Sequence, residues 1–194
     1  YGYRNKLQIP LQPDPETKKA VAGFYAGRSH RIVPVTDCAV SMPAYSHILK
    51  VILDFLNEHG IPAYNEADGS GTVRHVLIRE GLNTGEISVC IVSTKKKLPR
   101  EKELAALIME KEPCCVSVSL NYNPENTNVI LGRSLRILTG RDEMEDIIFP
   151  DPAILGSGTS SDAAGDAASD AAAGNFAAPL RYAVSPMAFY QINP

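Results

Sequence analysis

The 194-residue sequence predicts an α+β domain on a largely antiparallel sheet with two main helices. Two observations predict it. Strand-like runs are numerous and joined by short turns, while only two segments carry apolar residues at helical spacing. The elements also follow the order ββ-α-ββ-α-βββ, which groups strands together instead of alternating each with a helix.

Tyr3 to Gln12 reads as the first strand, and Asp14-Pro15-Glu16 as its turn. Ala20 to Ala26 returns beside it as a hairpin, and Arg31 to Val35 adds a short extended piece. A helix begins near Pro43, where a missing N–H costs nothing in the first turn. Tyr45, Ile48, Leu49, Ile52, Phe55 and Leu56 form its apolar face, and Gly60 stops it. Val73 to Arg79 and Glu86 to Ser93 read as paired strands around a Gly81–Gly85 turn. In the second, Ile87, Val89 and Ile91 alternate with Ser88, Cys90 and Val92, so one face should be buried more deeply.

The second helix runs from about Pro99 to Lys111. Its Glu101 and Glu103 suit the positive end of the helix dipole, and Leu104, Leu107 and Ile108 face the core. Strands follow at Cys114–Leu120, Asn128–Leu131, Glu145–Phe149 and Leu180–Ser185. Residues 156–178 are nearly all Gly, Ser, Ala, Asp and Thr, too poor in apolar surface to offset ordering entropy. They are expected to be a flexible insertion between a domain at 1–155 and a new unit beginning at 179–194.

Composition narrows the function classes. A hydrophobic content of 44% fits a globular protein, and no apolar run approaches the ~20 residues of a membrane helix. The net charge of −3 hides an asymmetry: residues 1–50 hold seven Lys/Arg against three acidic residues, and the remainder is acidic. A basic segment can contact a polyanion, though a solvated face explains it as well. Cys38, Cys90, Cys114 and Cys115 show no CxxC spacing, which suits a reduced, cytoplasmic protein. His30, His47, His59 and His75 lack metal-ligand spacing. No Gly-x-Gly-x-x-Gly follows a strand, and neither Gly-Ser-Gly has the setting of a nucleophile elbow. A complete catalytic site is therefore not expected within these residues.

Several segments, in order, carry a resemblance. They are Tyr3-Arg4-Asn5-Lys6; Gly23-Phe24-Tyr25 through His30-Arg31-Ile32-Val33 to Asp37-Cys38; Arg74 through Arg79 followed by Thr84-Gly85-Glu86; Asn126 to Gly132; and Ser185-Pro186-Met187-Ala188-Phe189-Tyr190-Gln191-Ile192-Asn193-Pro194. Together they resemble the RNA uracil-C5 methyltransferases, in particular the bacterial 23S ribosomal RNA (uracil-5-)-methyltransferases. The resemblance spans nearly the whole chain apart from 156–178. It implies the central domain of a three-part enzyme, with an oligonucleotide-binding barrel before it and the methyltransferase fold beginning near its end. The opening on Tyr1 and the close on Asn193-Pro194 are in keeping with that expectation.

In such enzymes a cysteine thiolate adds to uracil C6, and the resulting enolate takes methyl from S-adenosylmethionine at C5. A glutamate base removes the C5 proton and the cysteine leaves. The resemblance puts both residues downstream of the Phe-Tyr-Gln-Ile-Asn motif, so this chain alone should be inactive. It implies that Gln191, and with it Phe189, lies at S-adenosylmethionine. Cys38 matches the fourth ligand of a [4Fe–4S] cluster, the other three cysteines lying upstream; a buried core cysteine is the alternative. Arg4 and Lys6 would contact RNA, with Arg28 and Arg31 as weaker candidates. The expected partner is 23S rRNA, bound by a monomer. A transfer RNA target, a non-catalytic RNA-binding module and an iron–sulfur electron carrier stay open.

Overall fold

Alternating apolar residues direct the central strands of the computed structural model, which describes residues 4–29, 31–35, 38, 40–126, 128–149 and 178–188. The elements run β1 (Lys6–Pro13), β2 (Ala20–Tyr25), β3 (Ile32–Pro34), α1 (Pro43–Glu58), β4 (Val73–Glu80) and β5 (Ile87–Ser93). They continue with α2 (Glu101–Lys111), β6 (Cys115–Tyr122), β7 (Ser134–Gly140), β8 (Met144–Ile148) and β9 (Leu180–Val184). Seven strands form one sheet in the order β3-β2-β1-β4-β5-β6-β7, and β8 pairs with β9 separately. Every pairing between these named strands is antiparallel except β5 with β6, which is parallel because α2 carries the chain across between them. The α+β class with two helices is thus the observed one.

Both helices lie against one face of the sheet. The period-two sets Leu7, Ile9, Leu11; Val76, Ile78; Ile87, Val89, Ile91; and Val118, Leu120 meet the α1 stripe Tyr45, Ile48, Leu49, Ile52, Phe55 and Leu56 in one core. Pro43 opens α1, and Gly60, at φ 61°, closes it by letting the Ile61 N–H reach back to the Leu56 carbonyl at 2.8 Å. Asn57 on α1 clasps β2, accepting from the Ala20 N–H at 2.7 Å and donating to the Ala20 carbonyl at 3.1 Å.

The opposite face is unusual. Register places Arg79, Ser88 and Ser117 side by side across β4, β5 and β6, followed by Leu77, Cys90 and Ser119, then His75, Val92 and Asn121. All nine are buried. The expectation that β5 has one more deeply buried face is therefore corrected: β5 is central and covered on both sides.

A second correction concerns 128–131. No strand forms there, and β7 lies at Ser134–Gly140 instead. Side chains from β6 and the residue after it capture the would-be strand's backbone. Asn123 Nδ2 donates to the carbonyls of Val129 at 2.7 Å and Ile130 at 2.9 Å, and Asn121 Oδ1 accepts from the Gly132 N–H at 2.7 Å. Ile130 and Leu131 then pack on Leu77, Cys90 and Val92. Gly132 passes so close that a Cβ would sit 2.0 Å from the Tyr122 carbonyl oxygen. Residues 151–177, which hold nearly all of the expected insertion, lie outside the described residues. Among the described residues no helix is long and apolar enough to cross a membrane.

Candidate functional site

The pairing of β1 leaves a gap. It meets β4 over Lys6–Pro10 but meets β2 only over Leu11–Pro13, so its first half has one open edge among the described strands. The segment around Cys38 and Ser41 runs alongside, tied by the Arg4 N–H to the Val40 carbonyl at 3.0 Å. A cleft of about 180 Å³ results, lined by Arg4, Lys6, Gln8, Phe24, Cys38 and Ser41. Three expected site residues, Arg4, Lys6 and Cys38, are thereby brought together across more than thirty positions of sequence.

Burial, hydrogen bonds and neighbouring charges shift two groups in this cleft. Cys38 is partly exposed, and its thiol is held below the ordinary cysteine range. The Ser41 side-chain hydrogen bond is the main cause; burial opposes it, while the Val40 and Ser41 backbone and the Arg4 charge assist. Burial and the neighbouring Arg79 charge push the Lys6 amine below the usual lysine range.

Arg79 links this cleft to the other end of the chain. It is paired in register with Lys6, is only 2% exposed, and donates from Nη1 to the Pro186 carbonyl at 2.7 Å and from Nη2 to the Ala188 carbonyl at 2.8 Å. The Ser185–Ala188 turn is therefore held over the polar sheet face, with Met187 Sδ 3.4 Å from Asn121 Nδ2. The same turn follows β9, whose partner β8 is anchored by Asp146. That fully buried carboxylate accepts from the N–H groups of Leu82 at 2.9 Å, Asn83 at 3.0 Å and Thr84 at 3.3 Å, and from the Tyr182 hydroxyl at 3.1 Å. Gln191 and Phe189 lie outside the described residues.

Arg28 and Arg31 do not line the Cys38 cleft. They sit exposed at the β2–β3 turn, where Arg28 has φ 58°, with Ser29 reaching a separate cleft of about 370 Å³ beside Tyr25, Glu66, Arg74 and His75. There the Tyr25 hydroxyl donates to Glu66 at 2.7 Å, and Arg74 lies over the Tyr64 ring at 4.9 Å. His75 is buried, and desolvation, then the Arg74 charge, lowers its pKa to about 4, so the imidazole is neutral near pH 7.

Among the described residues no group of three or more His, Cys, Asp or Glu could hold a metal ion. Cys38 supplies one thiolate where a [4Fe–4S] cluster needs four, so the described residues do not fit that group by themselves. Cys114 is exposed in the turn before β6, and Cys115, which opens β6, is buried.

Arg79 and Asn121 carry more of this arrangement than the sequence suggests. The available signal for Arg79 is a cation directly after the apolar run Val76-Leu77-Ile78; a buried guanidinium must find acceptors.

No family model matches the chain. Over all 194 residues it is 31% identical to an uncharacterized RNA methyltransferase of Clostridium tetani, covering 35% of that protein. Over the same length it is 32% identical to an uncharacterized RNA methyltransferase of Halalkalibacterium halodurans, covering 36%. A Clostridium acetobutylicum relative of the same description is 36% identical over 148 residues, 76% of this chain and 32% of that protein. The chain thus spans about a third of the length of the curated relatives it matches. Its fold resembles that of the Pyrococcus abyssi tRNA (uracil-54, C5)-methyltransferase, solved in complex with S-adenosyl-L-homocysteine. The TM-score is 0.59 at 18% identity, over 75% of this chain and 32% of that one, so the likeness is one of fold.

Proposed function

We propose that this chain is the central, RNA-facing part of an S-adenosylmethionine-dependent methyltransferase that forms 5-methyluridine in 23S rRNA. The observation that carries the reading is the Arg79 clamp. A buried guanidinium beside Lys6 grips the carbonyls of Pro186 and Ala188, immediately before Phe189-Tyr190-Gln191. Basic residues suited to RNA phosphates and the segment leading to the proposed donor contact therefore share one side of the sheet. The relatives that match the whole of this chain are named RNA methyltransferases, which supports the RNA-methyltransferase part of the reading.

Arg4 and Lys6 would bind the RNA backbone, placing the target uridine near the Ser185–Ala188 turn. Taking that base out of its stack costs a few kcal/mol, which protein contacts must supply. Gln191 would meet donor and base with an uncharged amide that both donates and accepts. The thiolate that adds to C6 and the base that removes the C5 proton would come from residues other than those described. Cys38, partly exposed and with a lowered thiol pKa, suits one ligand position of an iron–sulfur cluster, completed by three cysteines that these residues do not supply.

The test is methyl transfer. The gene product containing this sequence, given radiolabelled S-adenosylmethionine and separately purified ribosomal and transfer RNA, should label 23S rRNA, with 5-methyluridine found by mass spectrometry. Label in transfer RNA would support the second reading, which the fold likeness to a tRNA enzyme favours. No label in either RNA refutes both.

A further inference from the structure

A strongly basic surface lies outside the Arg4–Lys6–Cys38 cleft. The loop after β5 exposes Lys95, Lys96 and Lys97 in succession, Arg100 follows at the start of α2, and Arg133 and Arg136 stand nearby at the start of β7. These six cations are accompanied by Glu101, Glu103 and Glu125, on a chain whose net charge is −3. Two of the acids are already engaged, Glu101 with Arg136 at 2.8 Å and Glu103 with Arg100 at 2.9 Å.

The loop is held in shape. Leu98 is buried beneath it, its N–H donating to Glu101 at 3.0 Å, and the Lys95 N–H donates to Ser93 Oγ at 3.0 Å. Arg136 donates to the Lys96 carbonyl at 3.1 Å while bound to Glu101. Three lysines are thus presented on a fixed backbone. Beside them opens a groove of about 480 Å³ that includes Lys96, Tyr122, Val129 and Arg133. Lys96 Nζ stands 5.7 Å from the centre of the Tyr122 ring.

One buried amide lies between the wall of this groove and the Ser185–Ala188 turn. Asn121 Nδ2 lies 2.9 Å from the Gly132 carbonyl and 3.4 Å from Met187 Sδ, joining the groove wall to the turn that Arg79 clamps.

We propose that the Lys95–Lys97 loop, Arg133 and the Tyr122 groove form a second docking surface for single-stranded RNA. Lysines on a fixed loop contact successive phosphates, and an aromatic ring lining a groove suits an unpaired base better than a duplex. The proposal rests on the methyltransferase reading and names a surface that reading leaves unassigned.

The test compares K95Q/K96Q/K97Q with the control K50Q/K111Q, whose lysines lie on the exposed helix surfaces. The probe is a fluorescein-labelled mixed-sequence single-stranded RNA of twelve nucleotides, titrated at several salt concentrations, with a twelve-base-pair RNA duplex as competitor. Circular dichroism and melting of each variant establish that it folds. Three lost phosphate contacts should lower the slope of log K against log[salt] by about 2 and weaken binding about 100-fold at 0.1 M salt. The control should change binding less than two-fold. Unchanged affinity and slope in a folded triple variant overturns the proposal, as does equal loss in the control or stronger binding of the duplex. Methyl transfer is measured on the gene product containing this sequence, with and without the same substitutions. Transfer to RNA with no effect of the triple variant sinks this surface alone; loss of RNA affinity without transfer to any RNA sinks the methyltransferase reading and leaves the surface standing.

Discussion

Replacing Arg79 with methionine should release the Ser185–Ala188 turn while leaving the sheet folded. Arg79 makes two hydrogen bonds from a charged donor to backbone carbonyls, at 2.7 and 2.8 Å, in a site 2% exposed. Bonds of that kind contribute roughly 1.5–3 kcal/mol each, so the gross loss is about 3–6 kcal/mol. Part is offset, because burial disfavours the guanidinium and its Nε finds no partner among the described residues. Methionine keeps most of the packing volume and brings no charge, so a net local loss of roughly 2–3 kcal/mol follows. The partner loss is local because β8 and β9 are held independently by their own pairing and by Asp146. Hydrogen exchange read by mass spectrometry should show backbone amides of 185–188 exchanging about 30- to 150-fold faster, with β4, β5 and β9 amides unchanged. Arg79→Lys should give an intermediate result, since one ammonium cannot span both carbonyls in the fork geometry. If R79M leaves exchange at 185–188 unaltered, the clamp does not hold the turn and the argument from it fails.

Three further predictions follow from geometry and charge. His75 is neutral in the folded chain down to about pH 4 but takes a proton near 6.5 when unfolded, so the unfolded form binds more protons between those values. Stability should therefore be complete above about pH 6.5 and fall by up to about 3 kcal/mol towards pH 4, a slope that His75→Asn removes in urea melts at stepped pH. Asp146→Asn places an amide donor against N–H donors of the 82–84 turn and should cost about 2–4 kcal/mol by chemical denaturation; a change below about 0.5 kcal/mol contradicts the account. Arg4→Gln should reduce the salt dependence of single-stranded RNA binding by about 0.7 in log–log slope, and an unaltered slope removes Arg4 from the phosphate path.

The parts of the fold that were legible are those whose period is unambiguous. The α1 stripe from Tyr45 to Leu56 and the β4–β5 hairpin around Gly81–Gly85 stand where the pattern puts them. The failure at 128–131 has a local cause: Val129-Ile130-Leu131 has strand composition, but the Asn121 and Asn123 amides capture its backbone from a different element. Ser134–Gly140 went unread although Leu135, Ile137 and Thr139 alternate, because its partner β6 lies beyond the captured loop. Parallel pairing of β5 with β6 depends on how α2 crosses, which periodicity does not encode. At the site, residue types were legible and their convergence was not. Arg4, Lys6 and Cys38 meet only because β1 outruns β2 on one edge. The basic surface at Lys95–Lys97 lies in the acidic remainder of the chain, where summing charge over long stretches conceals it.

The ladder between β8 and β9 ends on Ile148 opposite Leu180, so two positions far apart in sequence are neighbours across one strand pair. Whatever its length, sequence spliced between those two positions meets a doorway already shut by hydrogen bonds. For a flexible connection, doubling its length costs only about 0.6 kcal/mol of closure entropy. This doorway is consequently a natural place to graft a reporter or affinity module, or for evolution to try new appendages, without disturbing the guanidinium-gripped turn a few residues further on.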